Sequence, residues 1–179
     1  MLANLTAFES VGVELLAGNP AAAVEFGEEG CRLHEELASE RYFLPNACAH
    51  LAQALYELDR LEDAEATIGR ALELGSSGDI WLQPVGMQVR AKLLARKGEQ
   101  QEAARLAREA TALADGTDNL DRQGNAYADL GEVLLLGGKP DEAALAFEEA
   151  LDRFERKGSR VMAERTRARL EELQVTPVH

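Results

Sequence analysis

Apolar residues along this chain recur three and four positions apart, in runs separated by short polar breaks. Ala64, Ile68 and Ala71 follow that spacing, as do Ala103, Ala107 and Ala110, and then Ala143, Phe147, Ala150 and Leu151. Such spacing places the apolar side chains on one face of an α-helix. Strict alternation, the mark of a half-buried strand, is not sustained anywhere, and Val, Ile and Thr are too scattered to build strands. The pattern predicts nine helices, which alternate as the first and second members (A and B) of hairpins. The first pair covers about 2–17 and 20–38, the second 40–58 and 61–74, the third 80–97 and 100–114. The fourth covers about 120–137 and 140–156, and a solitary helix over 159–173 closes the array, with a tail over 174–179.

The breaks have physical causes. Gly18, Gly98 and Gly138 stand where a chain leaving a helix needs positive φ, which glycine reaches without a steric penalty. Pro20 and Pro140 fall in a first helical turn, where a missing N–H costs nothing. Asp79 and Ser159 each precede an apolar helix start and read as N-caps. The stretches 75–78 and 115–118 are rich in Gly, Ser, Thr and Asp and read as loops between hairpins. Pro45, Pro84 and Gly124 are spaced by 39 and 40 residues, so one phase of the pattern repeats a helix-unfriendly residue. That predicts that each A helix is kinked there or starts there, the longer A helix with proline in its first or second turn being preferred.

The breaks are themselves a repeat. Gly18-Asn19-Pro20 with Ala23, Asp59-Arg60-Leu61 with Ala64, Gly98-Glu99-Gln100 with Ala103, and Gly138-Lys139-Pro140 with Ala143 place their alanines 41, 39 and 40 residues apart. A period in this range marks a solenoid, whose units bury their apolar faces only against neighbours. In the fourth unit Tyr127, Leu130, Gly131 and Leu134 share one face, opposite Ala143, Phe147, Ala150 and Leu151. Gly131 and Ala143 are small where two helices approach closely, and Phe147 fills the space beyond them. This unit resembles the tetratricopeptide repeat (TPR), and the other three repeat it more loosely, with Gly27 and Gly30 standing in the first where bulk or alanine is usual. The resemblance implies an all-α fold: a right-handed α-α superhelix of about four TPR-like hairpins (2–38, 40–74, 79–115, 119–157) and a C-terminal capping helix, in one domain spanning 1–173. The period near 40, and the run from Trp81 through Arg90-Ala91-Lys92 to Gly98 and Ala103, are similar to the C-terminal TPR regions of large bacterial signalling ATPases. On that resemblance the chain is an excised regulatory segment or a free-standing relative.

Composition narrows the function. Thirty alanines and 27 leucines against 5% aromatics favour closely packed helices. The net charge of −13 repels polyanions, so neither nucleic acid nor an anionic membrane surface is expected as a partner. No run reaches the roughly 20 apolar residues needed to span a bilayer, and residues 1–17 lack the features of a signal peptide, which predicts a cytoplasmic protein. Arginine outnumbers lysine 15 to 4, a bias typical of a GC-rich bacterial genome. Cys31 and Cys48 fall within predicted helices and read as small buried apolar residues rather than as a disulfide or as ligands.

No catalytic constellation is present, and no cofactor or metal is expected. HExxH and GxSxG do not occur, and Gly137-Gly138-Lys139-Pro140 lacks the Ser/Thr and the N–H donors of a phosphate loop. The resemblance instead implies a non-catalytic scaffold or sensor, in which A helices line a groove for a protein or peptide partner. Its lining would comprise Asn46, Gln53, Tyr56, Gln88, Lys92, Arg96, Asn125, Glu132, Arg165 and Arg169. Lys92, Arg96, Arg165 and Arg169 would form a basic strip suited to a carboxylate or an acidic segment, unless they pair with neighbouring acids. The chaperone-tail clamp of this family is not implied, because Ala49 and Gln53 stand near its Lys and Asn places. The last helix, with Met162, Thr166, Leu170 and Leu173 on one stripe, reads as a cap or as a homodimerisation surface.

Overall fold

A computed structural model of the chain describes residues 2–36, 43–76, 79 and 81–175. Every regular element among them is an α-helix: α1 (Leu2–Ala17), α2 (Pro20–Glu36), α3 (Leu44–Glu57), α4 (Leu61–Leu74), α5 (Leu82–Arg96), α6 (Gln100–Asp115), α7 (Leu120–Leu136), α8 (Pro140–Lys157) and α9 (Arg160–Val175). The expected end of the second helix at 37–38, the expected starts of the third at 40–42 and of the fifth at Ile80, and tail residues 176–179 lie outside the described residues.

Four of the helix exits carry the recurring phrase, and its geometry is the same in all four. At the first, the Gly18 N–H donates to the Leu15 carbonyl and the Asn19 N–H to that of Glu14, at 3.2 and 2.8 Å. The same pair of bonds closes α3 at Asp59 and Arg60, α5 at Gly98 and Glu99, and α7 at Gly138 and Lys139. This is the Schellman arrangement, which satisfies carbonyls that a helix end leaves open and requires a left-handed residue. Gly18, Gly98 and Gly138 have φ of 80°, 85° and 70°, and Asp59 takes the position at 60°. A fifth copy closes α8 at Gly158 and Ser159. The alanine of each phrase then donates one of the first bonds of the next helix, and Ala23, Ala64, Ala103 and Ala143 are all 0% exposed.

The prolines in the shared phase mark helix starts. Pro45 is the second residue of α3 and Pro84 the third of α5, inside the first turn, so both helices start later than expected, and Phe43 and Trp81 stand ahead of them as turn residues. Asp79 accepts from the Trp81 and Leu82 N–H groups at 2.8 and 3.0 Å, which makes it the cap ahead of α5. Gly124 has a different role. It lies inside α7, and an added Cβ there would meet the Phe154 ring at 2.6 Å. Seven residues on, a Cβ at Gly131 would meet the Phe147 ring at 2.7 Å. The two glycines admit two rings of α8, spaced by the same seven residues, and Phe154 and Phe147 are buried. Each ring removed from water stabilises the pairing by roughly 1.5–3 kcal/mol.

The helices form two compact units, residues 1–93 and 94–179, with the division inside α5. In the first, Val11, Val24, Leu44, Leu51, Leu55, Ile68, Leu82 and Val89 build the core. Gly27 of α2 is the point of closest approach there, since a Cβ would come within 3.2 Å of the Leu51 Cα. The second unit packs the alanine faces of α6 and α8 with Leu130, Val133 and Leu134 of α7. Phe154 and Ala163 are buried together, with Tyr127 and Met162 against them. Thr166 is also buried and donates to the Met162 carbonyl at 2.8 Å. The Ser159 hydroxyl donates to the Asp121 carboxylate at the start of α7.

Candidate partner-binding surface

Within the first unit, α3 and α5 bring polar side chains together. Lys92 Nζ lies 3.4 Å from Glu57 Oε1 and 4.4 Å from the centre of the Tyr56 ring. The lysine side chain is only 6% exposed while that of Glu57 is 49% exposed, so the cation is sunk between two A helices and its counter-charge faces water. A buried ammonium needs such partners, since its desolvation would otherwise cost several kcal/mol. Gln88, one turn earlier on α5, is equally buried. Asn46 and Gln53, seven apart on α3, are half-buried.

Of the ten residues expected to line a groove, Tyr56, Gln88 and Lys92 are therefore buried in the first unit, and Asn46 and Gln53 lie partly open beside them on α3. The remainder belong to the second unit. Arg96 is exposed at the end of α5, Asn125 is exposed and Glu132 half-buried on α7, and Arg165 and Arg169 are exposed on α9. Arg169 is paired with Glu172 at 2.7 Å. The basic residues thus differ in setting: Lys92 is enclosed, whereas the three arginines are exposed.

Several contacts carry no signal in the sequence pattern. Ion pairs tie successive B helices, Arg70 of α4 to Glu35 of α2 and Arg108 of α6 to Glu142 of α8. Their partners are 35 and 34 residues apart. All four side chains are about half exposed, so these pairs contribute little energy. Gln100 Nε2 donates to the carbonyls of Ala95 and Leu136, at 3.0 and 3.3 Å. The Tyr127 hydroxyl donates to Asp115 at 2.9 Å with Arg153 over its ring, and burial together with that bond raises the phenol's pKa. Cys31 and Cys48 are buried as expected, but their sulfurs touch. Among the described residues no group of His, Cys, Asp and Glu could hold a metal ion, and no helix is long and apolar enough to cross a membrane.

Solved structures share this arrangement of hairpins. A signal transduction ATPase with numerous domains (STAND) from Pyrococcus horikoshii, which has a tetratricopeptide repeat sensor, superposes with a TM-score of 0.63 at 19% identity, over 96% of this chain and 26% of that one. The kinesin light chain TPR-like repeats of Podosopora anserina superpose with a TM-score of 0.57 at 16% identity, over 94% and 93% of the two chains. A single-substitution variant of the latter gives 0.55. The fold is a tetratricopeptide-type solenoid. No protein-family model and no curated protein matches the sequence. The chain spans about a quarter of the length of the STAND ATPase, and identities this low carry the tetratricopeptide fold alone.

Proposed function

We propose that this chain is a non-catalytic interaction or sensor module, which takes an extended peptide or a partner helix along its A helices. The observation that carries the reading is the polar junction of α3 and α5. The B helices spend their inward faces on alanine and aromatic packing, whereas these A helices hold Tyr56, Gln88 and Lys92 in fixed positions beside Asn46 and Gln53. The buried three brace the junction, and the partly open Asn46 and Gln53 beside them are held where they can offer hydrogen bonds to a ligand at little further ordering cost. The STAND relative in fold, described as carrying a tetratricopeptide repeat sensor, supports the same class of role. The proposal includes that residues 1–173 act as one solenoid domain, and that Arg96, Asn125, Glu132, Arg165 and Arg169 extend the binding surface in the second unit.

The test is selection of peptides from a random library on the immobilised full chain, followed by titration calorimetry. Asn46→Ala/Gln53→Ala and Arg165→Glu/Arg169→Glu variants, checked for unchanged helicity, are compared with the parent. A loss of tenfold or more in affinity in either variant is expected. Peptides that bind both variants as well as the parent, or a library that yields no binder, would overturn the reading.

A further inference from the structure

Cys31 of α2 and Cys48 of α3 face each other with their Sγ atoms 3.4 Å apart. The packing around them holds them there. One turn before Cys31, Gly27 lets Leu51 of α3 approach the α2 backbone, and Leu51 is one turn beyond Cys48. Cys31 is 7% exposed and Cys48 1%, so both sulfurs rest within the interface of the two helices. A disulfide bond is roughly 2.05 Å long. The two sulfurs need to close by little more than an ångström.

The electrostatics of the pair set the two sulfurs apart. With the Cys31 S–H donating, its hydrogen bond lowers the Cys48 pKa and keeps Cys31 protonated. Arg70 of α4 favours a thiolate at either sulfur, while Glu35, four residues after Cys31, opposes it. Those two charges are paired with each other at the surface. A thiolate and a thiol in contact are the two reactants of disulfide closure.

We propose that Cys31 and Cys48 form a redox modification site, which closes as an intrachain disulfide joining α2 to α3, with hydrogen peroxide as the oxidant. The Cys48 thiolate attacks one peroxide oxygen. The O–O bond breaks, hydroxide leaves and takes up the proton that Cys48 had released, and a sulfenic acid remains. The Cys31 sulfur then attacks the Cys48 sulfur. The S–O bond breaks and water departs with the Cys31 proton. Two thiols are oxidised by two electrons, and one peroxide is reduced to two waters. The product staples the first hairpin to the second, at a joint between repeats.

The experiment exposes the full, reduced chain to hydrogen peroxide under native conditions and follows helicity by circular dichroism. Denaturation in an alkylating agent, intact mass measurement and peptide mapping then identify the product. The expected result is a folded monomer lighter by two hydrogens, with no alkylatable thiol and a peptide linking Cys31 to Cys48. Dithiothreitol restores both thiols. Cys31→Ser and Cys48→Ser each abolish this product and yield oxygenated cysteine or an intermolecular dimer. The proposal fails if the parent chain keeps both thiols, accumulates sulfinic acids or intermolecular disulfides, or forms the linked peptide only after its helicity is lost.

Discussion

At the scale of single residues, the repeating turn shows how little side chain the fold needs at its punctuation. Gly138 has φ of +70°, and an added Cβ would meet nothing within 4 Å. A substitution there isolates the backbone term from any packing term. Gly138→Ala is therefore expected to destabilise the chain by about 1–2 kcal/mol, the cost of placing an L-residue in the left-handed region. Urea denaturation measures it, and a change near zero would mean that the turn relaxes. Asp59 tolerates the same region at φ 60° because short polar side chains bond locally. A second residue ties stability to pH. His34 is buried and stacked on Phe43 with ring centroids 5.5 Å apart, and its burial lowers the imidazole pKa below the ordinary 6.5. Between the folded value and 6.5 the unfolded chain binds the extra proton. Its contribution is thus complete above about pH 6.5 and is lost as pH falls through the folded value. The urea midpoint of the parent should fall from pH 7 to pH 5, and His34→Leu should flatten that slope. Equal slopes in the two proteins would remove His34 as the cause.

At the scale of elements, the helices and their turns are legible in the sequence because each rests on local chemistry. The alanine of every phrase sits at one phase of a 3.6-residue period, and the Schellman residue precedes it at a fixed offset. Gly131 against Phe147 is legible for the same reason, as one well-formed unit displays both partners of the hairpin contact. Gly124 is not. Its place in register with Pro45 and Pro84 suggests a helix start, whereas its partner Phe154 is 30 residues away and is chosen by how α7 crosses α8. The sulfur contact and the Lys92 niche are hidden likewise, since both depend on which helix lies beside which. The Gly124 contact can be measured by a double-mutant cycle. Gly124→Ala drives a methyl to 2.6 Å from a ring that is 0% exposed, and should destabilise by about 1–3 kcal/mol. In a Phe154→Ala background the ring is gone, and the same change should become neutral or stabilising by up to about 1 kcal/mol, the helix propensity of alanine over glycine. An equal penalty in both backgrounds would show that the glycine is required for another reason.

At the scale of the whole molecule, the question is whether residues 1–93 and 94–179, each with its own core, unfold together. The boundary between them falls inside α5, so a single helix belongs to both. Melting either unit would strip α5 of packing along part of its length. Repeat units that bury apolar surface only against neighbours are stabilised by those interfaces more than by their own helices, which couples adjacent repeats. Trp81 is the only tryptophan of the chain and lies in the first unit, so its fluorescence reports that unit while circular dichroism reports every helix. Leu134 is 3% exposed in the second unit. Leu134→Ala should cost about 2–5 kcal/mol through the cavity it leaves. One solenoid domain predicts coincident transitions by the two signals in the parent chain. It also predicts that Leu134→Ala lowers the urea midpoint read by Trp81 as far as the midpoint read by circular dichroism. A tryptophan transition that stays in place while the dichroism transition moves or splits would mean two independently folding units, and a partner would then be bound by each surface separately.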